Sequence, residues 1–206
     1  MQLTSEHFES ADITVWQPAK GHRYGEESIA LAEFANVAEN AKVAELGSGV
    51  GLISLLVAAR REPSLVAAVE IQELFHEIAE RNVSENRFSG IVHCINEDFR
   101  KFANASEGTF DCVVANPPFY RANEGRLSPD PARAIARHEL NGTIEDLVRA
   151  AHKLLKPDGK FFVVFDARRG EELKDAARRT GFSVARIEEP HCSAYLLIEF
   201  TPESTL

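Results

Sequence analysis

The sequence predicts an α/β fold built on a seven-stranded, mostly parallel sheet. Three observations carry this reading. Short apolar runs alternate with helical segments from residue 42 to residue 181, the pattern of a parallel sheet covered on both faces. A glycine-rich turn joins the first of these runs to a helix. Two final apolar runs follow the last helix directly and suit an antiparallel pair. At 206 residues with 44% apolar content, the chain suits one compact domain spanning 1–206.

The elements follow in order. Residues 1–24 are mixed in character and contain Trp16, Pro18 and Gly21. They read as an N-terminal extension that contributes to the site, with Trp16 as a core plug for it. Residues 26–38 have helical periodicity, with Ile29, Phe34 and Val37 near one face and two glutamates in the first turn, where they favour the helix dipole. Strands are expected at 42–46, 65–69, 91–95, 110–115 and 160–165, and the closing pair near 182–187 and 194–200. Helices are expected at 50–61, 72–86, 144–155 and 170–181, with a short turn of helix after the third strand. Lys156-Pro-Asp-Gly159 reads as the stop signal after the 144–155 helix. The polar stretch 116–142 is long for a loop in a compact domain, and such loops are usually functional or disordered.

Composition excludes several classes. No apolar run approaches the roughly 20 residues needed to span a bilayer. The first residues lack the basic-then-apolar pattern of a signal peptide. Cys94, Cys112 and Cys192 have no zinc-like spacing, and an odd count gives no disulfide framework. A reduced cytoplasmic setting and no metal are therefore expected. The net charge of −9 opposes wholesale binding of a polyanion. Locally, residues 117–137 carry Arg121, Arg126, Arg133 and Arg137 against Glu124 and Asp130, four positive and two negative charges. That stretch is either an ordinary solvated loop or a local basic patch.

Glu45-Leu-Gly-Ser-Gly-Val-Gly51 forms the glycine-rich turn. Glycines permit a tight turn and close approach of a ligand to the backbone, and the following helix offers free N–H groups to an anion. The spacing of Gly47, Gly49 and Gly51 is not that of dinucleotide binders, and the lysine of a phosphate-binding loop is missing. Glu45 is placed to meet a cationic amino group. A methionine moiety, with its carboxylate and ammonium, suits this turn better than a pyrophosphate. Glu70, with Ile71 after it, ends the next strand about 20 residues on, where an acid binds ribose hydroxyls in nucleoside-binding sheets. Asp98 can accept a hydrogen bond from an adenine amino group, or cap the short helix after it. Phe99 can pack on the ring.

Asn116-Pro-Pro-Phe119, followed by Tyr120, closes the fourth strand. Two prolines remove two N–H groups and stiffen the chain. The Asn116 amide oxygen and the Pro117 carbonyl are then two acceptors for both hydrogens of a planar NH2 group, whose lone pair is otherwise delocalised into a ring. Pro118 holds the turn, and Phe119 or Tyr120 offers a stacking face. With an activated sulfonium methyl as donor, positioning is the main task and no strong base is needed.

These residues resemble the class I methyltransferases of the amino-nitrogen type, a Rossmann-like fold that uses S-adenosyl-L-methionine. Gln17-Pro-Ala-Lys-Gly-His-Arg-Tyr24, Glu27-Ser-Ile-Ala-Leu-Ala32, Ala134-Ile-Ala-Arg-His-Glu139 and the segment from Lys160 to Leu173 are similar to bacterial tRNA adenine-N6 methyltransferases. Those enzymes modify an adenine beside the anticodon of valine tRNA. The resemblance runs from about residue 15 to 200. It implies that Tyr24, Glu45, Gly47, Glu70 and Asp98 contact the cofactor and that Asn116, Pro117 and Phe119 hold the base. Arg133, Arg137 and His138, with Tyr120 and Arg121 beside the motif, become candidate RNA contacts. Glu27 stands where relatives usually carry aspartate, and Phe119-Tyr120 reverses the commoner order. N2 of guanine in ribosomal RNA and a glutamine amide of a release factor are alternative targets for the same two acceptors. A catalytically silent scaffold would not need them.

Overall fold

The computed structural model describes residues 2–21, 23–117, 142–190 and 194–203. Its main sheet has seven strands in the order β5-β4-β3-β6-β7-β9-β8. These are β3 (Lys42–Leu46), β4 (Leu65–Val69), β5 (Val92–Ile95), β6 (Phe110–Ala115), β7 (Leu155–Asp166), β8 (Phe182–Glu188) and β9 (Tyr195–Pro202). The first five are parallel; β9 runs antiparallel between β7 and β8. This is the predicted fold class, with the predicted antiparallel pair at its C-terminal edge.

Alternate residues of each strand feed two separate cores. On one face Val43, Val66, Val92, Val114 and Phe162 meet α1 (Glu26–Phe34), α2 (Leu52–Arg61) and α3 (Glu73–Glu85). On the other face Ala44, Ala67, Val113 and Phe161 meet α4 (Phe99–Ala105), α5 (Ile144–Leu154) and α6 (Gly170–Arg179). Burial on both faces is why these strands read as continuous apolar runs. Among the described residues no helix is long and apolar enough to cross a membrane.

Three expectations need correction. First, residues 1–24 hold a β-hairpin, β1 (Leu3–Phe8) and β2 (Ile13–Pro18), paired antiparallel from Leu3↔Pro18 to Phe8↔Ile13. Ile13 and Val15 alternate into the first core. Among the described residues the outer edge of β2 has no third strand; Asn82 of α3 and Asn86, its C-cap, take its place. Asn82 Oδ1 accepts from Trp16 N at 2.8 Å and its Nδ2 donates to Trp16 O at 2.9 Å. Asn86 repeats this with Thr14, donating and accepting at 2.8 Å. A side-chain amide has the donor and acceptor of a peptide unit, so two of them one helical turn apart imitate a neighbouring strand. Trp16 is partly buried against the first core, as expected, with Arg81 3.9 Å from its ring and its Nε1 donating to Glu85.

Second, α1 ends at Phe34, four residues before the predicted boundary. Ala35 there turns to an extended conformation, and Arg186 of β8, 152 residues away in sequence, donates to the freed Phe34 O at 2.7 Å and lies 3.8 Å from the Phe34 ring. Third, α5 does stop at Leu154, just before Lys156–Gly159, but those residues lie within β7 rather than ahead of a strand beginning at 160. Leu155 pairs with Phe110 and Lys160 with Cys112, so β7 bulges where β6 runs straight.

Asn82 is fully buried, and its Nδ2 also donates to Val50 O at 2.9 Å. Asn82→Ala leaves buried partners on two elements unpaired and is expected to cost about 3 kcal/mol of stability. Urea unfolding checks this; a loss under about 0.5 kcal/mol would refute the bridging role.

Candidate active site

Strand order reverses between β3 and β6, which lie side by side with β4 and β7 beyond them. Ligands of open α/β sheets bind at this reversal, beyond the carboxyl ends of the strands. Leu46 pairs with Ala115 in register. The glycine turn after β3 and Asn116 after β6 therefore leave the sheet at one level, side by side.

Gly47, Gly49 and Gly51 have φ of 76°, 55° and 82°, a region that side chains with a Cβ disfavour. Gly47 N and Ser48 N both donate to Val69 O, at 2.9 and 3.0 Å. A Cβ on Gly51 would stand 3.3 Å from that of Ala79, whereas one on Gly47 or Gly49 would meet nothing within 4 Å. Gly51 is close-packed on α3; the first two glycines face open space. Ser48 Oγ is buried there with no hydrogen-bond partner among the described residues.

Glu45 points from β3 under this turn and is 2% exposed. Its Oε2 accepts from Ser54 N at 2.8 Å and from the Ser54 hydroxyl. It thereby caps α2, whose own N-cap residue, Gly51, has no side chain to do so. Burial pushes its carboxyl up to about 8; the Ser54 hydrogen bonds oppose the shift and the charge of Glu70 adds to it. Glu70 is 6% exposed and is also pushed up by burial, against its backbone hydrogen bonds. Its Oε2 accepts from Gly49 N and its Oε1 from Gln72 N, both at 2.9 Å. Neither acid forms an ion pair among the described residues. Glu70 thus ties the glycine turn to the start of α3, with Ile71 beside it unusually exposed for a large apolar residue, at 41%.

Asp98 caps α4 by accepting from Arg100 N at 2.9 Å, and its carboxylate also holds the Arg100 side chain. That guanidinium keeps the carboxyl below the usual range. Phe99 is partly buried against the second core. Tyr24 donates to Glu6 at 3.0 Å and packs against Phe8; its phenol is pushed up, first by burial and then by Glu6.

One cleft collects Tyr24, Glu45, Gly47, Gly49 and Asn116, five residues expected from the sequence on three separate segments. It also collects Arg23, a neighbour of Tyr24, and three residues to which sequence reasoning gave no role: Ser28, Ser48 and Leu52. Glu27, noted above only for its identity, lies there too. Gly51, Glu70, Ile71, Asp98 and Phe99 do not line it; they stand around the same rim. The Asn116 side chain is turned to the cleft, its Nδ2 donating to Ser28 Oγ at 2.9 Å. Pro117 follows it among the described residues. Pro118, Phe119, Tyr120, Arg121, Arg133, Arg137 and His138 lie outside the described residues. Ser28 left one trace in the sequence: it is a polar residue on the same face of α1 as Leu31 and Ala32.

The class follows from comparison with known proteins. The family model for the methyltransferase small domain matches residues 26–180, and the chain belongs to that family: it is an S-adenosyl-L-methionine-dependent methyltransferase. Its relatives carry a more particular name. A tRNA1(Val) (adenine(37)-N6)-methyltransferase of Dyadobacter fermentans is 31% identical over 181 residues, covering 87% of this chain and 73% of the relative. One of the same name from Bacteroides fragilis is 28% identical, over 89% of this chain and 77% of the relative. Among solved structures, M. jannaschii TYW2 in complex with AdoMet superposes with a TM-score of 0.65 at 15% identity, over 97% of this chain and 86% of that one, a likeness of fold.

Proposed function

We propose that this protein transfers a methyl group to N6 of an adenine in RNA, and that the adenine is position 37 of a valine tRNA, as the names of its relatives state for them. The observation that carries the reading is the pairing of Leu46 with Ala115, which sets the glycine turn beside Asn116. We further propose that residues 1–206 act as one domain, the N-terminal segment contributing Arg23 and Tyr24 to the cleft.

The cleft fits the cofactor's amino-acid portion. It has open space above Gly47 and Gly49, a buried hydroxyl at Ser48 without a partner among the described residues, a buried carboxyl group at Glu45 and a guanidinium at Arg23. An acid and a base in one cleft match an ammonium and a carboxylate. Glu70 and Asp98 are assigned to the nucleoside, Ile71 and Phe99 to its ring; each Glu70 oxygen keeps a lone pair beyond its bond to Gly49 N or Gln72 N, whereas Asp98 must give up part of its hold on the Arg100 side chain to accept from a nucleoside.

Bound S-adenosyl-L-methionine supplies a sulfonium-activated methyl. The work of the chain is positioning. Asn116 Oδ1 accepts no hydrogen bond among the described residues and is assigned to one hydrogen of the exocyclic amine, with the Pro117 carbonyl taking the other. Two acceptors draw the nitrogen toward tetrahedral geometry and free its lone pair. Phe119 or Tyr120 is assigned to stacking on the base. Arg121, Arg133, Arg137 and His138 are assigned to the RNA.

Methyl-radiolabelled cofactor offered to total RNA and to total protein, followed by nucleoside analysis, tests the proposal. Labelled N6-methyladenosine in the tRNA fraction is the expected result. Label in N2-methylguanosine, or in protein alone, would overturn it.

A further inference from the structure

The contact between α1 and the end of β6 assigns a role to Ser28, which no reading of the sequence gave a function. An asparagine amide has two unlike ends: the oxygen accepts and the NH2 donates. Rotation by 180° about the last side-chain bond exchanges them with almost no change of shape. For Asn116 the exchange is decisive. An oxygen facing the cleft accepts from an amine, whereas an NH2 group facing it meets donors with donors. Ser28 stands beside the amide; its hydroxyl can donate or accept, and here it accepts from the NH2 end, the arrangement that leaves the amide oxygen free for an amine. Its Oγ accepts from Asn116 Nδ2 at 2.9 Å across 88 residues of sequence, and the serine is 4% exposed, so water does not readily replace it. Ser28 lies on α1, which packs against α2 and β7, a rigid platform rather than a loop.

We infer that Ser28 is the positioning residue that holds the Asn116 amide with its oxygen toward the substrate amine. This deepens the function proposed above and rests on it for the identity of the amine; the hydrogen bond itself does not depend on what the substrate is.

Two substitutions separate positioning from general support. Ser28→Ala removes the acceptor and is expected to lower kcat about 10-fold, the worth of one hydrogen bond of about 1.4 kcal/mol. The affinity for S-adenosylhomocysteine, measured by calorimetry, stays within about twofold. Ser28→Thr keeps the hydroxyl and is expected to restore most of kcat despite its extra methyl group. A merely structural serine gives the opposite order, with alanine tolerated and the larger threonine harmful. The second readout needs no catalysis: in the protein without substrate, the Asn116 side-chain NH2 resonances, assigned by their loss in Asn116→Asp, show a slowly exchanging proton in the native protein and in Ser28→Thr but not in Ser28→Ala. Unchanged kcat in Ser28→Ala, or an amide proton indifferent to it, would overturn the inference. Should transfer to tRNA be missing from the native protein, the amide resonances still report on Ser28, so failure of the substrate assignment and failure of this inference are told apart.

Discussion

Asn116→Ala is expected to lower kcat about 100-fold to 1000-fold while S-adenosylhomocysteine affinity stays within about threefold. The magnitude is that of deleting one preorganised polar contact that strengthens as the reaction proceeds. The separation of effects follows from the geometry. Asn116 bonds to Ser28, whereas Glu45 is held by Ser54 and Glu70 by Gly49 and Gln72. Removing the amide thus leaves the glycine turn and both acids in place. Calorimetry with S-adenosylhomocysteine and single-turnover methyl transfer measure the two quantities independently. Parallel loss of both would move Asn116 from the amine to the cofactor or to the fold. Loss of neither would place the amine-holding groups elsewhere.

What the sequence revealed and what it hid divide along one physical line. β4 and β6 were predicted at their observed limits, 65–69 and 110–115, because strands buried on both faces declare themselves by local composition. The glycine turn and Asn116 were legible for the same reason: the constraint on each lies within a few neighbouring residues. The hairpin 3–18 was not. Its outer edge is satisfied by Asn82 and Asn86, 66 and 72 residues away from their partners, and nothing in residues 1–24 announces that. The carbonyl at the early end of α1 likewise finds its partner, Arg186, far off in sequence. Ser28 is hidden by its own brevity, since one serine in an apolar helix gains meaning only from Asn116. Asp98 shows the intermediate case. Its cap on α4 was readable from position, while the arginine that shares the carboxylate is a detail of side-chain geometry.

Cofactor affinity is expected to rise with pH, about tenfold per unit at most between pH 6 and 7.5, and to level off near pH 8. The cause is Glu45. Its buried carboxyl is pushed up to about 8, so below that pH the free protein holds it neutral, whereas an ammonium bound in the cleft favours the carboxylate. Binding must therefore release a proton, and calorimetry in buffers of different ionisation enthalpy will register it. Glu45→Gln removes the titrating group. The variant should bind S-adenosylhomocysteine about 10-fold to 100-fold more weakly than the native protein at pH 8, where a charged hydrogen bond is lost, and about equally at pH 6, where both side chains are neutral. The same carboxyl acts on stability without ligand. A pKa raised in the folded state above its unfolded value favours folding most below the unfolded pKa, near 4.5. That contribution is lost as pH climbs toward 8, by up to about 1.4 kcal/mol per unit. Glu70, raised by burial as well, adds to the slope in the same direction. The ligand-free protein should accordingly weaken from pH 5 to pH 8 in urea unfolding while its affinity for the cofactor strengthens. Burial that costs stability in the empty cleft is what makes the acid selective for a cation, and a pH-independent affinity in the native protein would show that Glu45 caps α2 and does nothing more.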